Sequence, residues 1–377
     1  MQNMEFMNFG SDEETTFRAI TLNSKDIAPP RQLDWSILAS YGLVHKLKDT
    51  IIRSHECNFK YDSLMRLYQI KEDVYQEILV EFLASFKFNK PEEDEFFNTT
   101  PSISFRLCGV PCHFSLMMFG IYLGLIDYDV DKAHYKKVLD RSTVGVPTNY
   151  SRMGIWNEVT MISYDPTHSR GRSLKNPFYR LIHYLNEWTL LYSGHPNVLS
   201  EQHLIGLHYV LDIGTNWHVP YALALMFQKA SRGEFVNLPG GQVVMHLARN
   251  MKLLDKEVMG KCKAPIPCKV KGLKFFLNSM ILLRDKGKSF RLYKDHEINP
   301  KKDEASTSSS NGNKFNKEKK RTTMEAQPSL AKIMKRINML GHYCDSLNKM
   351  VAQVHKDNRT HYTTRYGYSY HIHVLLT

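Results

Sequence analysis

Residues 176–194 read N-P-F-Y-R-L-I-H-Y-L-N-E-W-T-L-L-Y-S-G, and this stretch decides the fold. Asn176 supplies an N-cap, and Pro177 occupies the first helical position, where a missing N–H costs nothing. Phe178, Leu181, Ile182, Leu185, Trp188 and Tyr192 follow at helical spacing, and Gly194 is placed to end the run. Further apolar-periodic runs start at Ser200 and at Val219. Together the three segments predict the centre of one packed helical core.

Upstream, Asp34 can cap a short helix through Trp35, Leu38 and Ala39 that stops near Gly42, and a second helix runs through Val44, Leu47 and Ile51. Asp73 is placed to open an amphipathic helix, with Gln76 in capping-box position and Val74, Ile78, Leu79, Phe82 and Phe86 on one face. Ile103, Phe105 and Leu107 alternate with polar residues, Cys108-Gly109 makes a turn, and Val110, Cys112 and Phe114 alternate on the way back. That pattern predicts a β-hairpin, with Pro111 placing the return strand at an edge. Ser115 then caps a helix that closes at Gly124. Residues 126–170 are mixed and polar, with a short helix near 131–139. Beyond the central segments, Gly240-Gly241 precedes a helix with Val244, Leu247, Met251 and Leu254 on one face.

The expected class is mainly α. Residues 1–29 read as a flexible N-terminus, and 30–285 as a helical globular domain with one inserted β-hairpin. Residues 286–327 read as a disordered, basic polar linker, 328–357 as a coiled-coil-like helix, and 358–377 as a tail. In the last helix Leu330, Ile333, Ile337, Leu340, Cys344, Leu347, Val351 and Val354 are spaced alternately three and four apart, an unbroken a/d seam. The seam predicts self-association; the competing reading folds the helix back onto its own chain.

The 377 residues are 42% hydrophobic and 11% aromatic, too rich for a mainly disordered chain. No apolar run approaches the roughly 20 residues of a membrane helix, and the N-terminus lacks a basic region followed by an apolar core. The expectation is a protein of the nucleus or cytoplasm, not secreted, without a membrane partner. The six cysteines are scattered, which favours reduced thiols. Net charge is +12, and residues 249–321 hold 20 Lys/Arg against 8 Asp/Glu, so the rest of the chain is balanced at 30 against 30. One basic stretch on a neutral body points to an anionic partner, with RNA or DNA the first candidate; the plainer reading is a solvated linker.

The blocks S-K-D-I-A-P-P-R-Q-L-D-W (24–35), V-Y-Q-E-I-L-V-E-F-L-A-S-F (74–86), F-R-L-C-G-V-P-C-H-F-S-L-M-M-F-G-I-Y-L-G-L (105–125), S-R-G-R-S-L-K-N-P-F-Y-R-L-I-H (169–183) and G-G-Q-V-V-M-H-L-A (240–248) follow one another in this order. In that order the chain resembles the first-open-reading-frame protein of plant Athila-type retrotransposons, over about residues 24–255. The resemblance implies a gag-like or accessory element protein with no established enzyme activity and no catalytic motif to carry over. The chain departs from the family's pattern after Trp188, where L-L-Y-S-G-H-P replaces a turn containing Gly and Arg.

Motifs for chemistry are lacking. Asp212-Ile213-Gly214-Thr215 has the wrong order for a retroviral-type aspartic protease, and there is no Tyr-x-Asp-Asp. Cys108, Cys112 and His113 offer zinc-type ligands, but Cys112 and His113 point to opposite faces of one strand. Cys262 and Cys268 lack a paired His. Asp127, Asp129 and Asp131 begin like a calcium loop whose sixth and twelfth positions are Lys132 and Val138 rather than Gly and Glu. His203 and His208 are five apart, not the i, i+4 pair of a zincin. No cofactor or metal is therefore expected.

Two basic groups remain as candidate nucleic-acid contacts. Arg170, Arg172 and Lys175 precede the cap at Asn176, where a phosphate would meet side chains and free helix N–H groups. Lys314, Lys317, Lys319, Lys320 and Arg321 form a run suited to nuclear localisation or phosphate contact. The expected function is a non-enzymatic, retrotransposon-derived gag-like protein that self-associates and contacts nucleic acid. The alternatives are a host-adopted nuclear DNA- or chromatin-associated factor, a decayed element copy without function, and an enzyme whose site no motif reveals.

Overall fold

Helix starts fall where a short polar side chain can take a free amide. Asp12 opens α1 (Glu13–Asn23), Asp34 opens α2 (Trp35–Ser40), and Ser115 opens α6 (Leu116–Tyr122). The computed structural model describes residues 8–54, 63–89, 101–128, 150–160, 162–165, 170–192, 197–211, 217–285 and 289–293. The chain divides into two units, Met1–Lys301 and Lys302–Thr377, and every described residue belongs to the first. The run Lys314 to Arg321, the heptad seam from Leu330 to Val354, the helix expected near 131–139 and the Asp212–Thr215 string all lie outside the described residues.

The remaining helices are α3 (Leu43–Ser54), α4 (Ser63–Gln69), α5 (Gln76–Ser85), α7 (Arg152–Val159), α8 (Pro177–Thr189), α9 (Glu201–Leu211), α10 (Val219–Ser231), α11 (Gly241–Asn250), α12 (Lys256–Gly260) and α13 (Leu273–Asn278). Strands are short: β1 (Arg31–Leu33), β2 (Lys87–Asn89), β3 (Ser102–Leu107), β4 (Val110–Ser115), β5 (Lys269–Lys271), β6 (Leu282–Arg284) and β7 (Phe290–Leu292). A mainly helical fold with small sheets is thus established. No described helix is long and apolar enough to cross a membrane.

Two enclosed helices organise the core. In α5 every residue from Glu77 to Ala84 is buried, with α1, β3, α10 and α11 packed around it. This corrects the expected amphipathic helix, because a helix with neighbours on all sides has no solvent face. Asp73 does not cap it. The Asp73 carboxylate accepts the Cys268 N–H at 2.8 Å, and Val74 exchanges backbone hydrogen bonds with Ile266, so the chain stays extended until Tyr75. The second enclosed helix is α8, which packs on α4 and α9 and buries eleven of its thirteen residues. The N-cap at Asn176 and the proline after it stand as expected.

The hairpin also stands, with Leu107 paired to Val110 and Arg106 to Pro111. Cys108 and Gly109 both have positive φ, 52° and 81°, the mirror-image turn that matches strand twist. Residues 87–89 add a third strand in the order β2-β3-β4, leaving Pro111 on an edge strand.

The N-terminus departs from expectation. Residues 13–23 form α1, whose Ala19 and Leu22 are buried, and α1 lies against α5. Its apolar residues are split between two faces, with Phe17 and Ile20 exposed opposite buried Ala19 and Leu22, so no single apolar stripe marked it in the sequence. Residues 152–159 form α7 within the stretch read as mixed, and Trp156 on it is fully buried. Past Lys261, Arg31 pairs with Lys269 and Leu33 with Lys271 in the parallel ladder β1–β5. The antiparallel pair β6–β7 carries order to residue 293, beyond the expected boundary at 285.

Candidate nucleic-acid interface

The basic segment before α8 is held by backbone pairing. Arg170 bridges to Val198, the Gly171 N–H donates to the Asn197 carbonyl, and the Lys175 N–H donates to the Val159 carbonyl. Gly171–Ser173 form one turn of 3-10 helix. Arg170 is exposed, while Arg172 and Lys175 are half-buried, and the Arg172 guanidinium donates to the Asn278 carbonyl at 3.2 Å.

The helix start itself does not serve as an anion site. The Phe178 N–H donates to the Asn176 side chain at 2.8 Å, and the Tyr179 and Arg180 N–H groups donate to the Asn176 carbonyl. Pro177 has no N–H. Every amide of the first turn is used, so any anion here is met by side chains.

The fold brings distant cations to the same region. The β1–β5 ladder places Arg31 beside Lys269 at one register position and Lys271 two residues further on. Burial holds the Lys271 ammonium below its usual range, and the charges of Arg31 and Lys269 lower it further. The Arg31 guanidinium lies 5.9 Å from the centre of the Trp188 ring. Trp188 packs on Phe275 with centroids 5.1 Å apart, and Phe275 packs on Tyr184 at 5.0 Å. Burial raises the Tyr184 phenol, and the nearby charges of Arg172 and Arg180 pull it back. Side-chain packing thus runs from Arg31 through Trp188 and Phe275 to Tyr184, whose phenol feels the charge of Arg172.

Several arginines elsewhere on the body have carboxylate partners. Arg66 meets Asp127, Arg106 meets Glu81, Arg152 meets Glu201 and Arg249 meets Glu72. Among the described residues no such pair involves Arg31, Arg170, Arg172, Lys175, Lys269 or Lys271. Like charges gathered without ion-pair partners raise the local positive potential, which is what attracts a polyanion. The sequence pointed to Arg170, Arg172 and Lys175 but not to Arg31, since residues 31 and 269 meet only through a long-range parallel pair.

A second polar cluster lies inside. The His203 Nε2 and Glu187 Oε2 are 2.7 Å apart, and both side chains are essentially without solvent. The His203 Nδ1 lies 2.7 Å from the Ser200 hydroxyl and accepts the Ser200 backbone N–H at 3.1 Å. Ser, His and carboxylate in a row have the connectivity of an activated nucleophile. Here, however, His203 stands at the third position of α9, where a side chain reaches back to the cap amide, as Glu or Gln does in a capping box. Neither described cavity is lined by Ser200, His203 or Glu187. The arrangement works as a clasp between α8 and α9. Nothing local in the chain marks it, because the partners are 16 residues apart and join only once the helices pack.

Among the described residues no group of three His, Cys, Asp or Glu side chains is arranged to hold a metal ion. Cys112 is buried and His113 exposed, on opposite faces of β4. Burial pushes the thiols of Cys108 and Cys262 up to about 12, with neighbouring carboxylates adding to the rise, so both are poor ligands and poor nucleophiles near neutrality. No family model, curated protein or solved structure matches the chain.

Proposed function

We propose that this is a non-enzymatic nucleic-acid-binding protein of the gag-like class, one that holds the phosphate backbone on the Arg31–Lys269–Lys271 cluster and the adjoining Arg170–Lys175 segment. The observation that carries the reading is the concentration of cations without carboxylate partners beside half-buried Trp188 and Phe275, on a body where Arg66, Arg106, Arg152 and Arg249 are each paired with a carboxylate. Cations beside aromatic faces suit single strands, whose unstacked bases can lie on the rings. The ordered blocks of residues 24–248 supply the gag-like class, and the heptad seam from Leu330 to Val354 supplies self-association. The Lys314–Arg321 run would add phosphate contacts. A nuclear, duplex-binding factor adopted by the host is the second reading; the same cations favour it, while the aromatic rings do not.

The test is the salt dependence of binding to a labelled single-stranded RNA. Each phosphate contact on a single strand contributes a slope of about 0.7 in log affinity against log salt. Replacing Arg31, Lys269 and Lys271 by Ala together should lower the slope by roughly 2. An unchanged slope removes the cluster from the interface, and tighter binding to duplex DNA selects the second reading.

A further inference from the structure

A separate cavity of about 330 Å³ opens where the end of α8 meets α9 and α10. Its walls are aromatic and aliphatic: Tyr209, Trp217, Tyr221, Phe235, Leu225 and Met226. Tyr209 and Trp217 stack almost parallel, with centroids 5.1 Å apart and planes at 9°, which makes one wall flat. The volume falls within the range of small-molecule sites, which are mostly apolar with a few fixed polar groups. Ala222 on α10 also lines the cavity and keeps its side open, because a methyl group fills little of the space that its neighbours enclose.

The polar groups are few. Gln202 and Lys229 line the cavity and are both exposed, so they stand at its rim. Lys229 has no carboxylate partner among the described residues. His218 also lines it; the ring is buried, and its Nδ1 accepts the Tyr221 N–H at 3.0 Å, capping α10. Burial lowers the His218 pKa to about 4, so the ring is neutral near pH 7 and sets no charge in the cavity. Among the described residues the lining is therefore an aromatic slot with the Lys229 ammonium at its mouth.

We infer that this cavity is a binding site for a small, flat aromatic molecule bearing one anionic group, the rings lying along the Tyr209–Trp217 wall and the anion facing Lys229. The site is distinct from the cation cluster and does not depend on nucleic-acid binding. A flat apolar body displaces water from the aromatic wall, and a single exposed cation selects for an anion without demanding a buried charge.

The experiment titrates the full chain with 8-anilinonaphthalene-1-sulfonate, read by dye fluorescence, beside the uncharged N-phenyl-1-naphthylamine. Saturable one-site binding is expected for both. Ala222→Trp should abolish both by filling the slot, and Leu225→Trp should do so from another position. Far-ultraviolet circular dichroism checks the fold of each variant, and Leu225→Trp carries the test if Ala222→Trp does not fold. Lys229→Glu should weaken the sulfonate roughly fivefold at low salt and leave the uncharged dye within about twofold. Non-saturating binding, or equal binding by the folded filled variants, overturns the site. An equal effect of Lys229→Glu on both dyes, or none on either, overturns the anionic preference.

Discussion

Glu81 should make this protein less stable as pH rises from about 4.5 to about 7, and Gln should remove the effect. The side chain is fully buried on α5 and holds the hairpin: its Oε1 accepts the Gly109 N–H at 2.8 Å and lies 2.9 Å from the Arg106 Nε. Its Oε2 is buried without a hydrogen-bond partner. Burial outweighs the hydrogen bonds and Arg106 and raises the carboxyl from its ordinary 4.5 to about 7. Below 4.5 the group is protonated in both states and contributes nothing. Between 4.5 and 7 the folded chain keeps a proton that the unfolded chain has released, so stability falls with rising pH. Above 7 the full cost is present. The span is 7 − 4.5 = 2.5 pH units, at about 1.4 kcal/mol each, or on the order of 3 kcal/mol.

Glu81→Gln keeps the shape and an acceptor for Gly109 but cannot ionise. The two proteins should differ little at pH 5, and at pH 8 the variant should be more stable by an amount on the order of 3 kcal/mol. Urea unfolding of both at each pH, followed by tryptophan fluorescence, measures the difference, and every other titrating group cancels between them. A difference that stays flat with pH, or a variant weaker at pH 8, would show that Glu81 is ionised in the fold and that the Arg106 contact governs it.

Further outcomes follow from other sites. Trp156→Ala should cost about 3–5 kcal/mol, since the ring is wholly enclosed and its Nε1 donates to the Ile162 carbonyl at 2.6 Å. Trp188→Ala should cost less, because Trp188 is only half-buried; denaturant unfolding of the two variants checks the order. Glu187→Ala should lose about 3 kcal/mol by leaving the His203 ring without its carboxylate, and a loss under about 0.5 kcal/mol in the same assay would show that the clasp is idle. Cys108 and Cys262 should react with a disulfide reagent at pH 8 far more slowly in the folded chain than in urea, since partial burial and nearby carboxylates hold both thiols up at about 12; equal rates would contradict that rise.

The parts of this fold that were legible in sequence depend on local chemistry. Asn176-Pro177, Ser115 and Asp34 mark helix starts by side-chain capping, and Cys108-Gly109 marks a tight turn, so α8, α6, α2 and the hairpin could be read directly. What could not be read depends on distant partners. Asp73 looks like a cap until Cys268 takes its carboxylate, and residues 31–33 look like loop until residues 269–271 arrive beside them. The candidate interface shows the same division. The Arg170–Lys175 segment is contiguous and visible, whereas Arg31, Trp188 and Phe275 meet only by packing. The clasp of Glu187, His203 and Ser200 was hidden likewise, because buried polar residues on a helix read as solvent-facing until a neighbouring helix covers them.

Photo-crosslinking tests the central claim most directly. The full chain is bound to a single-stranded RNA of roughly 20 nucleotides containing 4-thiouridine, irradiated and digested, and the crosslinked peptides are identified by mass spectrometry; a tract of this length spans more than one typical single-strand site. The account predicts crosslinks in peptides carrying Trp188 and Phe275, lost when Arg31, Lys269 and Lys271 are replaced together by Ala. Crosslinks confined to residues 294–377, or none in any peptide at low salt, would contradict it.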